Sequence, residues 1–334
     1  MSDNRLLDAL SCKGVLVNVS VRYWRARKKL NPEDLGLSSD QVNRRLISLG
    51  HKKLLPKDCL RSLALIESRA HALVEGSTFP FLNGVARYLP NERLADVEAK
   101  LTDLGDQFRH EQREFLRQYP AYREDALREW EQTARELVDD PTRLVAVIED
   151  AFPPASLMDR HYGFHVSLFQ VAVPEMPQAD LVEAATQRDV LEARSKAARA
   201  ARSRIEASCD EFIRDCTAEL RGQTAKLCTE MLATIDGTGS VHQKTLNRLV
   251  RFVDHFRQLN FMDDREMEAQ LEAVRQELLG RTAGEYRDSA SARRQLVQGL
   301  EALRNRAGEL AREDATHLVE GFGQFGNRRF MLAA

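Results

Sequence analysis

IEASCDEFIRDCTAELRGQTAKLCTEMLATI, residues 205–235, is the stretch whose reading decides the fold. With Ala198 ahead of it, Ile205, Cys209, Phe212, Cys216, Leu220, Leu227 and Met231 step at the three-and-four spacing of one helix face. All ten prolines of the 334-residue chain lie at or before Pro177, so no helix-breaking ring interrupts this half. The spacing predicts helix from Asp180 to about Ile235, on the order of 80 Å at ~1.5 Å per residue. Gly237–Ser240 (GTGS) then predicts a tight reversal. Three periodic stretches return: Leu246, Leu249, Val253 and Phe256; Met267, Leu271, Val274 and Leu278; and Leu296, Leu300, Leu303, Ala307 and Leu310. The expected fold class is mainly α, a long antiparallel, coiled-coil-like helical bundle with a small β element.

The half before Pro177 is punctuated. Val15–Tyr23 alternates as a strand does, and Tyr162–Val173 (YGFHVSLFQVAV) is a second β-branched and aromatic run bounded by Gly163 and Pro174. A lone strand leaves its backbone unsatisfied, so the two are expected to pair and to bracket the segment between them. Asn31-Pro32-Glu33-Asp34 carries an N-cap, a proline at the first helical position and acids in the first turn. Short helices are expected over 38–49, stopped by Gly50, and from Pro56 to Val74 with Leu60, Leu63, Ile66, Ala70 and Leu73 on one face. Phe79–Pro90 is expected as a loop or irregular hairpin. Leu94, Val97, Leu101, Leu104, Phe108, Gln112, Phe115 and Tyr119 predict an amphipathic helix, continued after Pro120 by Leu127, Trp130, Ala134 and Leu137. The proline shift divides the chain, in expectation, into 1–177, 178–320 and a Phe/Gly/Arg tail, 321–334. No internal repeat is evident.

Composition bounds the function. Lys+Arg (49) nearly cancels Asp+Glu (51), which argues against a dedicated nucleic-acid-coating protein while leaving local basic patches open. The first residues lack the apolar core of a secretory signal, and no run approaches the ~18 apolar residues of a membrane span, so the expected location is the cytoplasm. Five cysteines without a C-x-x-C pair argue against a disulfide framework or zinc ribbon.

Arg22–Leu30, RYWRARKKL, packs five cations around a Tyr-Trp pair. Arg22, Arg25, Arg27, Lys28 and Lys29 suit phosphate, with Tyr23 or Trp24 stacking on a base. The plainer alternative is a strand-to-helix corner pinned by Trp24, its cations solvated or paired with Glu33 and Asp34. Arg44, Arg45, His51, Lys52, Lys53 and Lys57 form a second basic group able to join the first in space. His161 and His165 would lie about 13 Å apart on a strand, too far to share a metal, and no metal or cofactor is expected. Cys209 and Cys216, a heptad apart on the apolar seam, behave as small hydrophobes. Asp139-Asp140 and Asp263-Asp264 fall at helix ends and are expected to cap. No phosphate-loop, nucleophile-elbow, zinc-protease or kinase motif occurs, so no catalytic residue is assigned. In the tail, Phe322, Phe325, Arg328, Arg329 and Phe330 are the residue types that dominate interfaces. They make either a partner-docking peptide or a segment folded back on the bundle.

VLVNVSVRYWRARKKLNPEDLGL (15–37), LISLGHKKLLPKDCL (46–60), FPFLNGVARYLP (79–90) and a helix ending EFLRQYP (114–120) together resemble a bacterial and phage domain-of-unknown-function family, number thirty-one fifty. The resemblance covers roughly the first 180 residues well and the helical remainder more loosely. It implies a genetic context on phages and integrative elements, beside a MoxR- or cobaltochelatase-like AAA+ ATPase and a von Willebrand factor A protein. It carries no activity onto particular residues. The implied role is a non-enzymatic adaptor or client of an ATPase-centred mobile-element or anti-phage system. The ATPase would supply hydrolysis, and the adhesion domain a Mg²⁺ with a position open to a partner carboxylate. Self-association remains open. The rivals are a nucleic-acid-associated factor working through the basic patches and a membrane-active helical effector. The missing span argues against the latter.

Overall fold

A computed structural model describes residues 5–37, 42–43, 46–82, 84, 86–170, 188–313 and 315–322. The backbone forms α1 (Arg5–Lys13), β1 (Gly14–Arg22), β2 (Arg27–Lys29), β3 (His51–Lys53), α2 (Arg61–Glu75), β4 (Phe79–Phe81), β5 (Ala86–Pro90), α3 (Asn91–Leu137), α4 (Pro141–Asp150), α5 (Ala155–Met158) and β6 (Gly163–Phe169). There follow α6 (Arg188–Thr238), α7 (Gln243–Leu259), α8 (Arg265–Leu278), α9 (Ala283–Asp288) and α10 (Ala290–Leu310). The fold is mainly α with a small antiparallel sheet. No described helix is long and apolar enough to cross a membrane.

The chain forms two compact units, Met1–Val17 with Ser77–Ala95 and Leu168–Ala334, and Asn18–Gly76 with Asp96–Ser167. The segments expected from the proline shift, 1–177, 178–320 and 321–334, are each continuous, whereas each unit is assembled from separate stretches of chain. Composition carries no cue that 1–17 and 77–95 belong with the helical half, because packing of Phe79, Phe81 and Tyr88 against Phe212 and Phe261 recruits them.

In the first unit, Gly14–Val17 of β1 pairs antiparallel with β5, from Gly14↔Pro90 to Val17↔Arg87, and β5 pairs with β4. Gly14 has no room for a side chain: a Cβ there would meet the Leu89 carbonyl and the Tyr88 ring at 2.5 Å. Phe79, Phe81 and Tyr88 from this hairpin enter one core with Phe212 and Phe261. The helices confirm the seam: Cys209, Phe212, Cys216, Leu220, Leu227 and Met231 are all buried. Residues 180–187 and the side chains of Ala198 and Ile205 lie outside the described residues. Antiparallel order shows in the contacts. As residue number rises along α6 through Arg214, Arg221 and Gly239, the partners fall through Thr316, Leu310 and Arg293. Arg257–Glu272 and Arg275–Asp254 likewise run α7 against α8. The reversal falls where expected, with Gly239 at φ +63°.

In the second unit, the later part of β1 lies next to β6, as the sheet order β4-β5-β1-β6 requires. The two expected strands therefore do neighbour each other. Residues 171–173 of the expected second strand are outside the described residues. Trp24 is buried among Phe115, Tyr119 and Phe152, with ring centroids 6.5, 5.7 and 6.0 Å away. α3 runs through Pro120 unbroken. The proline is exposed, and Tyr119 beside it donates from its hydroxyl to the Pro153 carbonyl at 2.6 Å. The helix expected over 38–49 is corrected: described residues 42–43 and 46–49 form a turn, with Leu46 and Ile47 exposed. An apolar stripe that finds no core does not hold a short helix.

Candidate functional site

The corner at RYWRARKKL is built from the inside out. Trp24 anchors it. Ala26, buried and in the left-handed region at φ +49°, turns the chain, and its carbonyl accepts from Leu54 N–H at 2.7 Å. The chain therefore enters not a helix but a strand, β2, and reaches a single 3-10 turn (Pro32–Leu35) only afterwards. There Asn31 N–H donates to Asp34 at 2.9 Å.

β2 pairs antiparallel with β3 in the register Arg27↔Lys53, Lys28↔Lys52, Lys29↔His51. Every position of this ribbon is basic, and the two cationic groups of the sequence are brought together. Opposed residues in a strand pair project to the same side, and neighbours alternate. Arg27, Lys29, His51 and Lys53 therefore share one face, all exposed. Lys52 points the other way, is buried, and pairs with buried Asp34 at 2.8 Å. Lys28, opposite it, is exposed.

Arg25 is engaged otherwise. Its guanidinium grips Glu67 with two bonds of 2.7 and 2.5 Å and lies 3.8 Å over the Tyr23 ring. Hydrogen bonding from Arg25 holds the Glu67 carboxyl below its ordinary range. Burial, only partly offset by Arg25, pushes the Tyr23 phenol up. Arg25, Arg27, Lys53 and Lys57 rim a cleft of about 240 Å³ whose floor includes Leu55 and Leu60. Arg22 is exposed at the end of β1. Arg44 and Arg45 lie outside the described residues.

Both aromatic rings of the motif face inward, so neither Tyr23 nor Trp24 is presented for base stacking. Of the two alternatives for these cations, solvated or paired with Glu33 and Asp34, the exposed ribbon residues follow the first. Asp34 is committed to Lys52, and none of Arg27, Lys28, Lys29, Lys53 or Lys57 joins an ion pair among the described residues. Sequence reasoning placed Trp130 on the apolar face of α3 and missed its bond to the ribbon: its indole N–H donates to the Lys53 carbonyl at 3.1 Å and fixes the end of β3.

The tail assignment is corrected at one residue. Phe322 is fully buried, 5.7 Å from the Phe261 ring, and is the last described residue of a helical stretch that begins at 316. It folds back on the core and is not a docking side chain. Phe325, Arg328, Arg329 and Phe330 lie outside the described residues.

A second surface lies on β6, the last strand in the sheet order. It has a neighbour on one side only among the described residues, and Val166, Leu168 and Phe169 are exposed on it.

The remaining candidates have structural roles. Asp140 caps α4 by accepting from Arg143 N–H, and Asp264 caps α8 by accepting from Met267 N–H. Asp264 also binds Arg221. The Cys209, Cys216 and Cys228 thiols are buried, and burial pushes Cys216 well up and Cys228 up to about 12. His161 closes a 3-10 turn and His165 lies on β6. No metal-sized cluster of three His, Cys, Asp or Glu occurs among the described residues.

A family model described as protein of unknown function, DUF3150, matches residues 12–304, most of the chain and well into the helical half. No curated protein and no solved structure matches it. The chain belongs to the DUF3150 family.

Proposed function

We propose that this DUF3150 member is a non-enzymatic interaction component of an ATPase-centred mobile-element or anti-phage system, acting in the cytoplasm. Its partners are a MoxR-like AAA+ ATPase and a von Willebrand factor A protein, and the coiled-coil-like packing of α6 with α10 gives it a stiff body. The partner classes come from the family resemblance. The observation that carries an interaction role is β6. An exposed, apolar outer strand with one neighbour among the described residues offers backbone groups to a partner strand, and natural proteins otherwise protect such edges with charge.

The test is co-purification of the full chain with each partner, with and without ATP and Mg²⁺, using wild type and a Val166→Lys/Leu168→Lys variant. Capture by wild type and its loss in the variant support the role. A chain that stays monodisperse and indifferent to both partners in every condition contradicts it.

A further inference from the structure

We infer that the exposed face of the β2–β3 ribbon binds the phosphate backbone of duplex nucleic acid without reading its sequence. This does not rest on the adaptor role above. It rests on the register.

Arg27 stands opposite Lys53, and Lys29 opposite His51. Like charges placed directly across a strand pair repel and weaken the pairing. The protein nevertheless puts four basic side chains on one face, with Lys57 at the rim of the adjoining cleft. Asp34 is used by Lys52 and Glu67 by Arg25, and Glu129, which lines a neighbouring cleft with Lys53, makes no ion pair with it among the described residues. A charge-rich face kept uncompensated is the electrostatic footprint of an anionic partner.

The geometry selects among anions. Along a strand, same-face cations repeat every two residues, roughly 6.6 Å at ~3.3 Å per residue. That gives a short, regular row of positive charge, suited to a polymer with regularly spaced phosphates. An acidic protein segment would need apolar anchors as well, and those near the patch, Leu55 and Leu60, lie in the adjoining cleft and not on the ribbon face itself. Two of the four are lysines, and a lysine meets phosphate as a point charge with little directional demand. Tyr23 and Trp24 turn inward, so backbone contact rather than base stacking is the mode, and duplex is the natural target. Trp130 and Ala26 fix the two strands from behind through the Lys53 carbonyl and the Leu54 amide.

The experiment is fluorescence anisotropy of the full chain with a labelled mixed-sequence DNA duplex, titrated with salt. Four cations, Arg27, Lys29, Lys53 and Lys57, give an expected slope of log K on log salt of about −3 to −4, at ~0.9 per phosphate neutralised. Affinity then falls about a hundredfold between ~50 and ~200 mM salt. Lys29→Glu and Lys53→Glu should each weaken binding to every duplex alike and lower the slope by about one. The double variant should lose binding. Lys53→Glu faces Arg27 as an opposite charge, so its melting temperature should not fall, which separates lost binding from lost fold. Lys226→Glu, an exposed cation on α6, should leave binding as it is.

No binding at low salt overturns the inference, as does an unchanged slope in the Lys29→Glu/Lys53→Glu variant. Poly-glutamate competing as well as duplex at equal charge also overturns it, and would assign the ribbon to an acidic protein partner.

Discussion

Arg221 is the most deeply buried charge among the described residues, at 1 % exposure, and replacing it tests how the first unit is held together. Its Nε donates to Asp264 at 2.6 Å and one terminal nitrogen donates to the Leu310 carbonyl at 2.7 Å. One side chain on α6 thus fastens the start of α8 and the end of α10. Arg221→Met keeps much of the volume and removes the charge. It leaves the Asp264 carboxylate, itself 2 % exposed, with no cation, and it leaves the Leu310 carbonyl without this donor. Breaking a buried pair from one side costs about 3–5 kcal/mol. A domain of ordinary stability has about 5–15 kcal/mol in all, so the loss should be obvious in urea. Arg221→Met/Asp264→Asn removes both charges, and the Asn side chain can still cap α8. The double variant should recover most of the loss, falling short by about 1 kcal/mol for the Leu310 hydrogen bond. The assay is urea unfolding followed by far-UV circular dichroism, because both tryptophans, Trp24 and Trp130, lie in the other unit. A single variant costing less than about 1 kcal/mol would refute the reasoning. So would a double variant whose cost equals the sum of the two singles.

Trp24→Ala should cost about 3–5 kcal/mol, because it empties a site lined by Phe115, Tyr119 and Phe152; urea unfolding read by circular dichroism checks it. Cys216 and Cys228 should resist iodoacetamide at mildly alkaline pH in the native protein and react fully in denaturant, since burial holds both thiols protonated; mass spectrometry of the native adduct decides. The Glu67 carboxyl ionises below its ordinary range when folded, so its contact with Arg25 adds stability above the ordinary carboxylate pKa. That stability is lost as pH falls through the folded value. Glu67→Gln should therefore lower the melting temperature at neutral pH and leave it nearly unchanged in acid; equal losses at both would count against the ion pair.

Periodic burial was legible in the sequence, and long-range pairing was legible only in part. The α6 seam and the α7, α8 and α10 faces follow from three-and-four spacing alone, and the structure buries their described residues, Val274 only in part. The neighbouring of β1 and β6 followed from backbone satisfaction. The β4–β5 hairpin was left undecided, because Phe79–Phe81 is three residues long and contains a proline, too short for alternation to register. Arg221 was invisible for a different reason. It falls among the buried Thr217 and Thr224, polar positions that the apolar count passes over. Their hydroxyls bond back to the Ile213 and Leu220 carbonyls, which is how a helix accepts them inside. The basic ribbon was half legible. The composition of both cationic groups is plain, but only the register shows that Arg27 meets Lys53 and that Asp34 is spent on Lys52.

We propose that this DUF3150 protein works by binding an ATPase and an adhesion-domain partner. The most direct measurement is a tagged pull-down of the full chain from its native host, read by mass spectrometry and repeated with a non-hydrolysable ATP analogue. The expected result is enrichment of a MoxR-like AAA+ ATPase and a von Willebrand factor A protein over an untagged control, with the nucleotide state changing the yield. Recovery of the chain with neither protein enriched, in either nucleotide condition, would contradict the account.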